Sequence, residues 1–369
     1  MNLIHNKKIA IFHNYLDNIG GAEMVTLTLS KELGADIYTT NIDYEKINKM
    51  GFSGENIFSI GKIPTNAPFR QQMASIRFRF LNLKNKYDLY IISGDWAVSG
   101  AVKNKPNIWY VHSPIREIWD SYKFVRNNLV PFPLRPVFDI WVYLNRFLNK
   151  KHIKNVDKLV ANSHNVSDRI KKFLNRESII IHPPINTKDF YTENKNDSYW
   201  LSVNRLFSNK RVEMQLEAFR KMPGEKLIIV GSFEKSKHFV EYSNKIKEMC
   251  PENVEIIHWA NYDQLTEIYK NCLGFITTAQ DEDFGMTAVE VMASGKPVIA
   301  PNEGGYKETV IQNKTGILID EINSDKIIDA VNVIKSNLYL NQDFYYQNCI
   351  DRAKGFDTEI FISKIRDNL

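Results

Sequence analysis

The stretch that decides the fold is residues 281–309, which read DEDFGMTAVEVMASGKPVIAPNEGGYKET. An apolar strand is predicted over 273–278, so the acidic residues 281–283 follow a strand directly. Residues 286–294 are predicted to form a helix, because Gly295 stands where a helix C-cap is expected. Because Gly285 has no side chain, an anion can approach the backbone N–H groups at the helix start closely. The positive end of the helix dipole attracts such an anion. This stretch therefore predicts a phosphate-binding loop between two strands, the second over 297–300.

Two carboxylates lie beside this predicted phosphate site. Glu282 is in the loop and Glu290 is in the helix, eight positions later. Ionised carboxylates accept hydrogen bonds strongly and repel phosphate, so their presence indicates a ligand with hydroxyl groups as well as phosphates. A sugar nucleotide is such a ligand. The alternative is that the acidic loop is solvated and Glu290 is an exposed helix position.

These residues, taken together, resemble a known segment. They are Glu282, Phe284, Gly285, Glu290, Ala293, Ser294, Gly295, Pro297, Val298, Ala300, Gly304 and Gly305. They resemble the donor-binding segment of the family 4 retaining glycosyltransferases, which have the two-domain GT-B fold. The resemblance implies that Glu282 contacts hydroxyls of the transferred sugar and that Glu290 contacts the ribose. It further implies that backbone amides of Phe284, Gly285, Met286 and Thr287 face the donor sugar and phosphate.

The composition is that of an ordinary globular protein. The chain has 369 residues, 43% hydrophobic and 25% charged, which is enough for two domains with cores of their own. Lys and Arg exceed Asp and Glu by 48 to 43. This bias suits phosphorylated ligands or an anionic membrane surface and is too weak to indicate nucleic acid.

The sequence offers no metal-ligand spacing among its cysteines, which are Cys250, Cys272 and Cys349. We therefore expect no metal cofactor. It also shows no signal-peptide core and no apolar run of about 18 to 20 residues, the length that spans a membrane. These patterns predict a cytoplasmic protein, with the inner face of the cytoplasmic membrane as a candidate location.

The N-terminal half begins with a buried strand over 7–14 and a Gly20-Gly21 loop, followed by a helix that ends near Leu33. Such a loop brings backbone close to a ligand. The G-x-G-x-x-G fingerprint is absent, which argues against a nicotinamide enzyme. The resemblance implies that Gly20 and Gly21 lie near the donor diphosphate.

Two stretches combine basic and aromatic residues. Residues 67–86 form a basic amphipathic segment, which is typical either of a helix on an anionic bilayer or of a core-packed helix with solvated basic positions. Residues 116–154 are rich in aromatic, Lys and Arg residues, a composition suited to an acceptor groove.

His112 follows a predicted strand over 107–111, at the edge where parallel sheets bind ligands. A single histidine is more often structural. However, Tyr110, His112, Pro114, Arg116, Trp119 and Asp120 resemble a segment of a bacterial and archaeal mannosyltransferase subgroup. The resemblance implies that His112 reaches the donor sugar, and we place Arg116 and Trp119 on the acceptor side.

In the second half, Arg205 and Lys210 follow a strand over 199–203. A guanidinium fork and an ammonium point charge can together bind a diphosphate, although surface charge is the alternative. The family has an Arg and a Lys at the matching positions. His258 and Trp259 end another strand beside the expected nucleotide base, where the family usually has small residues, so the base remains open.

The alternation of strands and helices predicts an α/β protein with two Rossmann-like, doubly wound parallel-sheet domains facing a central cleft, the GT-B arrangement. We assign residues 1–187 to an acceptor-binding domain, onto which a C-terminal helix at about 352–369 packs back, and 188–351 to the donor-binding domain. The predicted activity is retaining transfer of a hexose, foremost mannose from GDP-mannose, to a glycan or lipid-linked glycan in surface polysaccharide or glycoconjugate synthesis. A UDP-hexose donor and a non-catalytic sugar-nucleotide-binding protein are the alternatives.

Overall fold

The computed structural model describes residues 7–190, 198–232, 237–258 and 260–369. The chain divides into two compact units. The first comprises Met1–Pro184 and Phe361–Leu369, and the second comprises Ile185–Ile360.

The first unit is built on a seven-stranded parallel sheet in the order β3-β2-β1-β4-β5-β6-β7. The strands are β1 (Ile9–Phe12), β2 (Asp36–Thr39), β3 (Ile57–Ser59), β4 (Leu89–Ile92), β5 (Asn107–Val111), β6 (Lys158–Ala161) and β7 (Ile179–Ile180). The α-helices are α1 (Gly21–Leu33), α2 (Tyr44–Lys49), α3 (Phe69–Phe80), α4 (Tyr122–Phe124), α5 (Arg135–Ile153) and α6 (His164–Arg169). Short 3-10 segments are Ala97–Val102 and Phe132–Leu134, and π-helical segments are Val125–Leu129 and Ile170–Leu174.

Strands β1, β4 and β5 are buried along their whole length, as expected for parallel strands covered by helices on both faces. Strand β1 pairs with β2 on one side and β4 on the other, with Ile11 aligned to Ile37 and Ile91. The strand order reverses between β1 and β4, and at such a switch point the loops diverge and leave a crevice at the carboxyl edge.

The second unit is built on a six-stranded parallel sheet in the order β10-β9-β8-β11-β12-β13. The strands are β8 (Tyr199–Arg205), β9 (Lys226–Ser232), β10 (Val254–Ile257), β11 (Gly274–Ile276), β12 (Val298–Pro301) and β13 (Gly316–Ile319). The helices are α7 (Thr187–Phe190), the 3-10 turn Ser208–Lys210, α8 (Val212–Arg220), α9 (Lys237–Met249), α10 (Tyr262–Asn271), α11 (Met286–Ala293), α12 (Tyr306–Thr309), α13 (Ser324–Leu340) and α14 (Tyr346–Lys354). Its switch point lies between β8 and β11.

The core of the second unit lies between this sheet and its covering helices. Trp200, Phe219, Phe275 and Val298 are fully buried there. Helix α11 is the most apolar part of residues 281–309. Its side chains Ala288, Val289, Val291 and Met292 are all buried. Helix α11 is therefore held rigidly, and its N-terminus is fixed at the carboxyl edge of the sheet.

The C-terminal region contains two helices, whereas the sequence predicts a last helix at about 352–369. Helix α14 ends at Lys354, and α15 (Thr358–Arg366) begins after a turn. Only Phe361–Leu369 groups with the first unit, where the Phe361 ring packs edge-on against Tyr110 at 5.7 Å between centroids. The unit boundary at 184/185 lies three residues before the predicted one, because Ile185 is buried in the second core and its N–H bonds to Phe356 O.

No helix in the described ranges is long and apolar enough to cross a membrane.

Candidate active site

The clearest constellation lies at the switch point of the second unit. Lys210 ends the 3-10 turn after β8, and Glu282 lies in the loop after β11. Their side chains are in contact. Lys210 Nζ is 2.5 Å from Glu282 Oε2, and the two side chains are only 17% and 25% exposed. A hydrogen bond holds the backbone of this turn, since Thr278 Oγ1 donates to Lys210 O at 2.6 Å. The sequence therefore identified both members of an ion pair that comes from positions 72 residues apart.

The Gly304-Gly305 turn supports the loop that carries Glu282. Gly305 N donates to Glu282 O at 2.8 Å. Gly304 has a positive φ of 58°, and a Cβ there would lie 2.5 Å from Glu282 O. A side chain at either glycine would push the loop away, so the paired glycines serve close backbone packing beneath the acidic loop.

The N-terminus of α11 has the geometry that the sequence predicts. Gly285 is the N-cap, with φ 91° and ψ 54°, a left-handed conformation that favours glycine. Met286 and Thr287 are half-buried at the first turn. Phe284 instead turns its ring into the core against Phe356, so only its backbone is available for the predicted ligand contact.

Glu290 lies one turn along the same helix and is half-buried. The buried Tyr269 of α10 donates its hydroxyl to Glu290 Oε2 at 2.8 Å. Burial raises the pKa of Glu290, and the hydrogen bond from Tyr269 opposes that shift. Tyr269 was not predicted from the sequence. It orients the carboxylate for which the sequence predicts a ribose contact.

Arg205 closes β8 and is exposed, as a diphosphate ligand would require. Arg211, next to Lys210, was not predicted as a site residue, and its side chain contacts two neighbouring loops. Arg211 Nε donates to Thr278 O at 2.7 Å, and its guanidinium pairs with Glu303. Arg211 thus joins the loops after β8, β11 and β12.

His258 follows β10 at the edge of the sheet, two strands away from β8, and is exposed. Desolvation, followed by the charge of Lys247, lowers its pKa. Trp259 lies outside the described residues. The predicted contact with the base remains a prediction.

In the first unit, His112 follows β5 and belongs to a buried hydrogen-bonded chain. His112 Nε2 is 2.8 Å from Ser93 Oγ, which follows β4. Ser93 Oγ is 2.7 Å from Thr26 Oγ1 on α1, and Thr26 Oγ1 is 3.1 Å from His13 Nδ1, which follows β1. Glu23 approaches the other ring nitrogen of His13 at 3.9 Å.

Counting hydrogens along this chain assigns the tautomer of His112. Thr26 Oγ1 lies 2.8 Å from Ala22 O, a carbonyl that can only accept, and we assign the one hydrogen of the Thr26 hydroxyl to that bond. Thr26 therefore accepts from Ser93, and Ser93 in turn accepts from His112 Nε2–H. Burial, followed by the charge of His13, lowers the pKa of His112 to about 3. The ring is thus neutral at physiological pH, and Nδ1 carries a lone pair that can accept a hydrogen bond from a hydroxyl.

The predicted Gly20-Gly21 loop lies at the N-terminus of α1, beside this chain. Gly21 begins the helix and Gly20 is an extended N-cap. A Cβ at Gly20 would lie 2.7 Å from Glu23 Oε2, so the Glu23 carboxylate folds over the loop. His13, Thr26 and Ser93 were not predicted, although His13 follows a buried strand and that position is the signal which identified His112.

A second group of ionisable side chains lies at the switch point of the first unit, between β1 and β4. Asn14 Nδ2 donates to Asp95 Oδ1 at 2.5 Å, and Trp96 Nε1 donates to Glu117 Oε1 at 3.2 Å. Burial, followed by the charge of Asp95, raises the pKa of Glu117 to about 7. Burial also raises the pKa of Asp95. Neither carboxyl group was predicted from the sequence to have a role.

Arg116 and Trp119, predicted on the acceptor side, both have structural contacts. Arg116 Nε donates to Asp120 Oδ2 at 2.9 Å. The Trp119 ring stacks on Phe173 at 5.6 Å and donates through Nε1 to Asn149 at 3.3 Å. Their acceptor role stays a prediction. Tyr122, Phe138 and Trp141 stack on one another within a hydrophobic cluster, so these rings of the predicted acceptor groove form a core.

Residues 184–351 match the family model described as "Glycosyl transferases group 1". The chain carries a glycosyltransferase group 1 domain. That segment contains Arg205, Lys210, Glu282 and Glu290, so the ion pair at the switch point lies within the matched domain.

Two sequence relatives and one solved structure extend this match. The chain is 28% identical over 193 residues to an uncharacterized glycosyltransferase of Methanocaldococcus jannaschii, covering 51% of this chain and about half, 53%, of that relative. It is 26% identical over 372 residues to the alpha-1,3/1,6-mannosyltransferase ALG2 of Dictyostelium discoideum, covering 84% and 85% of the two chains. Anabaena HepE in complex with UDP and glucose superposes with a TM-score of 0.76 at 17% identity, covering 98% and 99%. The predicted fold, two parallel-sheet α/β domains of the GT-B type, is confirmed.

Proposed function

We propose that this group 1 glycosyltransferase is a retaining enzyme that transfers mannose from GDP-mannose to a hydroxyl of a glycan or lipid-linked glycan. The observation that carries the proposal is the pairing of Lys210 with Glu282 at the switch point of the second sheet. A cation for phosphate and a carboxylate for hydroxyl groups meet there beside the N-terminus of α11, which matches the two chemical halves of a nucleotide sugar.

The leaving group in this reaction is a nucleoside diphosphate, whose negative charge grows as its bond to the sugar breaks. Lys210, Arg205 and the backbone N–H groups at the start of α11 are preorganised donors for that charge. In the front-face reaction that the family resemblance implies, the acceptor oxygen bonds to the anomeric carbon on the face that the phosphate leaves. The acceptor proton passes to the departing phosphate oxygen. Side-chain cations neutralise the leaving group, so the proposal needs no metal ion.

The two carboxylates and His112 hold sugar hydroxyls in this scheme. Glu282 and Glu290 accept from the transferred sugar and the ribose respectively. His112 accepts through Nδ1, because Ser93 holds its Nε2–H. We assign binding of the nucleotide sugar to the second unit and presentation of the acceptor to the first.

The mannosyltransferase relative supports mannose as the transferred sugar, and the His112 segment points the same way. A UDP-hexose is the second candidate donor, because HepE is a structural neighbour whose complex holds UDP and glucose. The nature of the bound base distinguishes the two candidates.

The test is a thermal-shift screen with GDP-mannose, GDP, UDP-glucose, UDP and NADH. A ligand at about 100 times its Kd stabilises the folded state by about 2.7 kcal/mol, which gives a measurable rise in Tm. We expect a rise with GDP-mannose and GDP, unchanged by a chelator. A response to uridine nucleotides alone would replace the donor, and a response to NADH alone would overturn the proposal.

A further inference from the structure

Helix α5 and the turn before it hold large apolar side chains out into solvent. They are Phe132, Leu134, Val137, Ile140, Tyr143, Leu144, Phe147 and Leu148. Their exposure ranges from 42% for Leu148 to 80% for Phe132. We call these eight residues the α5 surface. Single exposed apolar residues are common, but a contiguous row on one element indicates an interaction site.

The row follows from the helix period. Ile140, Leu144 and Phe147 are spaced by four and three positions, so they share one side of α5. The opposite side carries Val142 and Ile153, which are buried. The outward side of a helix on a soluble domain is normally polar, so α5 is apolar on a side that packing does not use.

Positively charged side chains lie near the C-terminus of α5, next to the exposed apolar side. Lys150, Lys151 and Lys154 are all exposed there. The one acidic residue of α5, Asp139, is half-buried and receives hydrogen bonds from Arg126 at 2.8 Å and Tyr122 at 2.7 Å. The outward charge of α5 is therefore basic without an acidic counterpart on the same helix.

We propose that the α5 surface and the three lysines bind the headgroup region of an anionic phospholipid bilayer. An apolar helix face with lysines beside it lies in the membrane interface, where its side chains enter the acyl boundary and its lysines meet anionic headgroups. A protein partner fits less well, because the centres of protein interfaces are depleted in lysine. The inference goes beyond the transfer reaction and does not depend on it.

The helix proposed to bind the membrane is therefore α5 and not α3, which lies within the candidate segment 67–86. The sequence left residues 67–86 open between a bilayer helix and a core-packed helix with solvated basic positions, and favoured the core-packed helix. In the structure, Arg70 pairs with Asp17 and lies 3.5 Å over the Tyr15 ring, while Ala74 and Phe78 are buried. One side of helix α3 thus packs into the domain, and its exposed large apolar side chains, Phe69, Ile76 and Phe80, are fewer than the eight of the α5 surface.

The experiment is flotation of the purified full chain with vesicles of phosphatidylcholine alone or of phosphatidylcholine with phosphatidylglycerol. One variant carries Ile140→Ser, Leu144→Ser and Phe147→Ser, and another carries Lys151→Gln and Lys154→Gln. Their matched controls in the second unit are Tyr339→Ser with Leu340→Ser, which are 91% and 82% exposed, and Lys307→Gln with Lys314→Gln. Circular dichroism and Tm establish that all variants fold, as expected for exposed positions.

We expect the wild type and both controls to float with the anionic vesicles. The serine variant should lose on the order of a hundredfold in partitioning, since three large apolar groups no longer leave water. The lysine variant should lose roughly thirtyfold, because two basic contacts with the headgroups are removed. Failure of the wild type to float, or flotation of the serine variant at the wild-type level, would overturn the proposal. Self-association that only the serine variant abolishes, without vesicle binding, would instead assign the surface to a second copy of the chain.

Discussion

Replacing Glu282 by Gln should tighten the binding of GDP while slowing sugar transfer. The substitution keeps the size of the side chain and removes its charge. Lys210 Nζ, now 2.5 Å from Glu282, would then meet the incoming diphosphate without a competing carboxylate. The carboxylate also repels the diphosphate directly, so both effects act in the same direction.

The magnitude follows from the environment of the pair. Two unit charges at 4 Å interact by about 1 kcal/mol in bulk water and by about 4 kcal/mol at an effective dielectric constant of 20. Because the side chains are 17% and 25% exposed, solvent screening reduces the upper value, and we take about 2 kcal/mol. Relieving that interaction would tighten GDP binding by roughly tenfold to thirtyfold. Transfer should fall at least about tenfold, since a sugar hydroxyl loses its charged acceptor.

The measurement is isothermal titration calorimetry with GDP, together with initial transfer rates from GDP-mannose. The matched control is Asp325→Asn, which breaks an exposed ion pair between Lys221 and Asp325 at 2.6 Å in the same unit and should leave GDP affinity unchanged. In a Lys210→Ala background, Glu282→Gln should give a smaller gain, because only the direct repulsion remains to be relieved. Weaker or unchanged GDP binding by Glu282→Gln would refute the reasoning.

Three other outcomes are expected. Ser93→Ala removes the acceptor that fixes the tautomer of His112, so kcat/KM for the nucleotide sugar should fall about tenfold; an unaltered kcat/KM would contradict this role. Tyr269→Phe deletes the hydroxyl that holds Glu290, so GDP affinity measured by calorimetry should drop by roughly tenfold, and unaltered affinity would remove Glu290 from the ribose site. The native pKa of Glu117, about 7, lies above its ordinary value of 4.5, so its stabilising contribution is complete below pH 4.5 and is lost as pH rises through 7. Glu117→Gln should therefore be more stable than the wild type at pH 8 but not at pH 4.5, as urea unfolding at the two pH values will measure.

The deciding stretch was predictable because its signals are local. Gly285 and Gly295 both adopt positive φ, as the predicted phosphate-binding loop and helix C-cap require. Helix α11 begins at the predicted residue, Met286. Strand β13 and the short strand β3 were not predicted.

The hydrogen-bonded chain at His112 was not predictable in the same way. Its members come from positions 13, 26, 93 and 112, and only pairing of β1 with β4 and of β4 with β5 brings them together. The same holds for Tyr269 and Glu290, which are joined across two helices.

The sequence by itself determined the fold class and the candidate donor residues, because turn chemistry, helix capping and strand ends are local properties of consecutive residues. The tertiary structure decided which partners those residues have. It paired Lys210 with Glu282, brought His112 Nε2 within hydrogen-bond distance of Ser93 Oγ and left one side of α5 apolar in solvent. Such contacts depend on strand order and packing between distant segments, and neither is written in the residues that surround any one of these side chains.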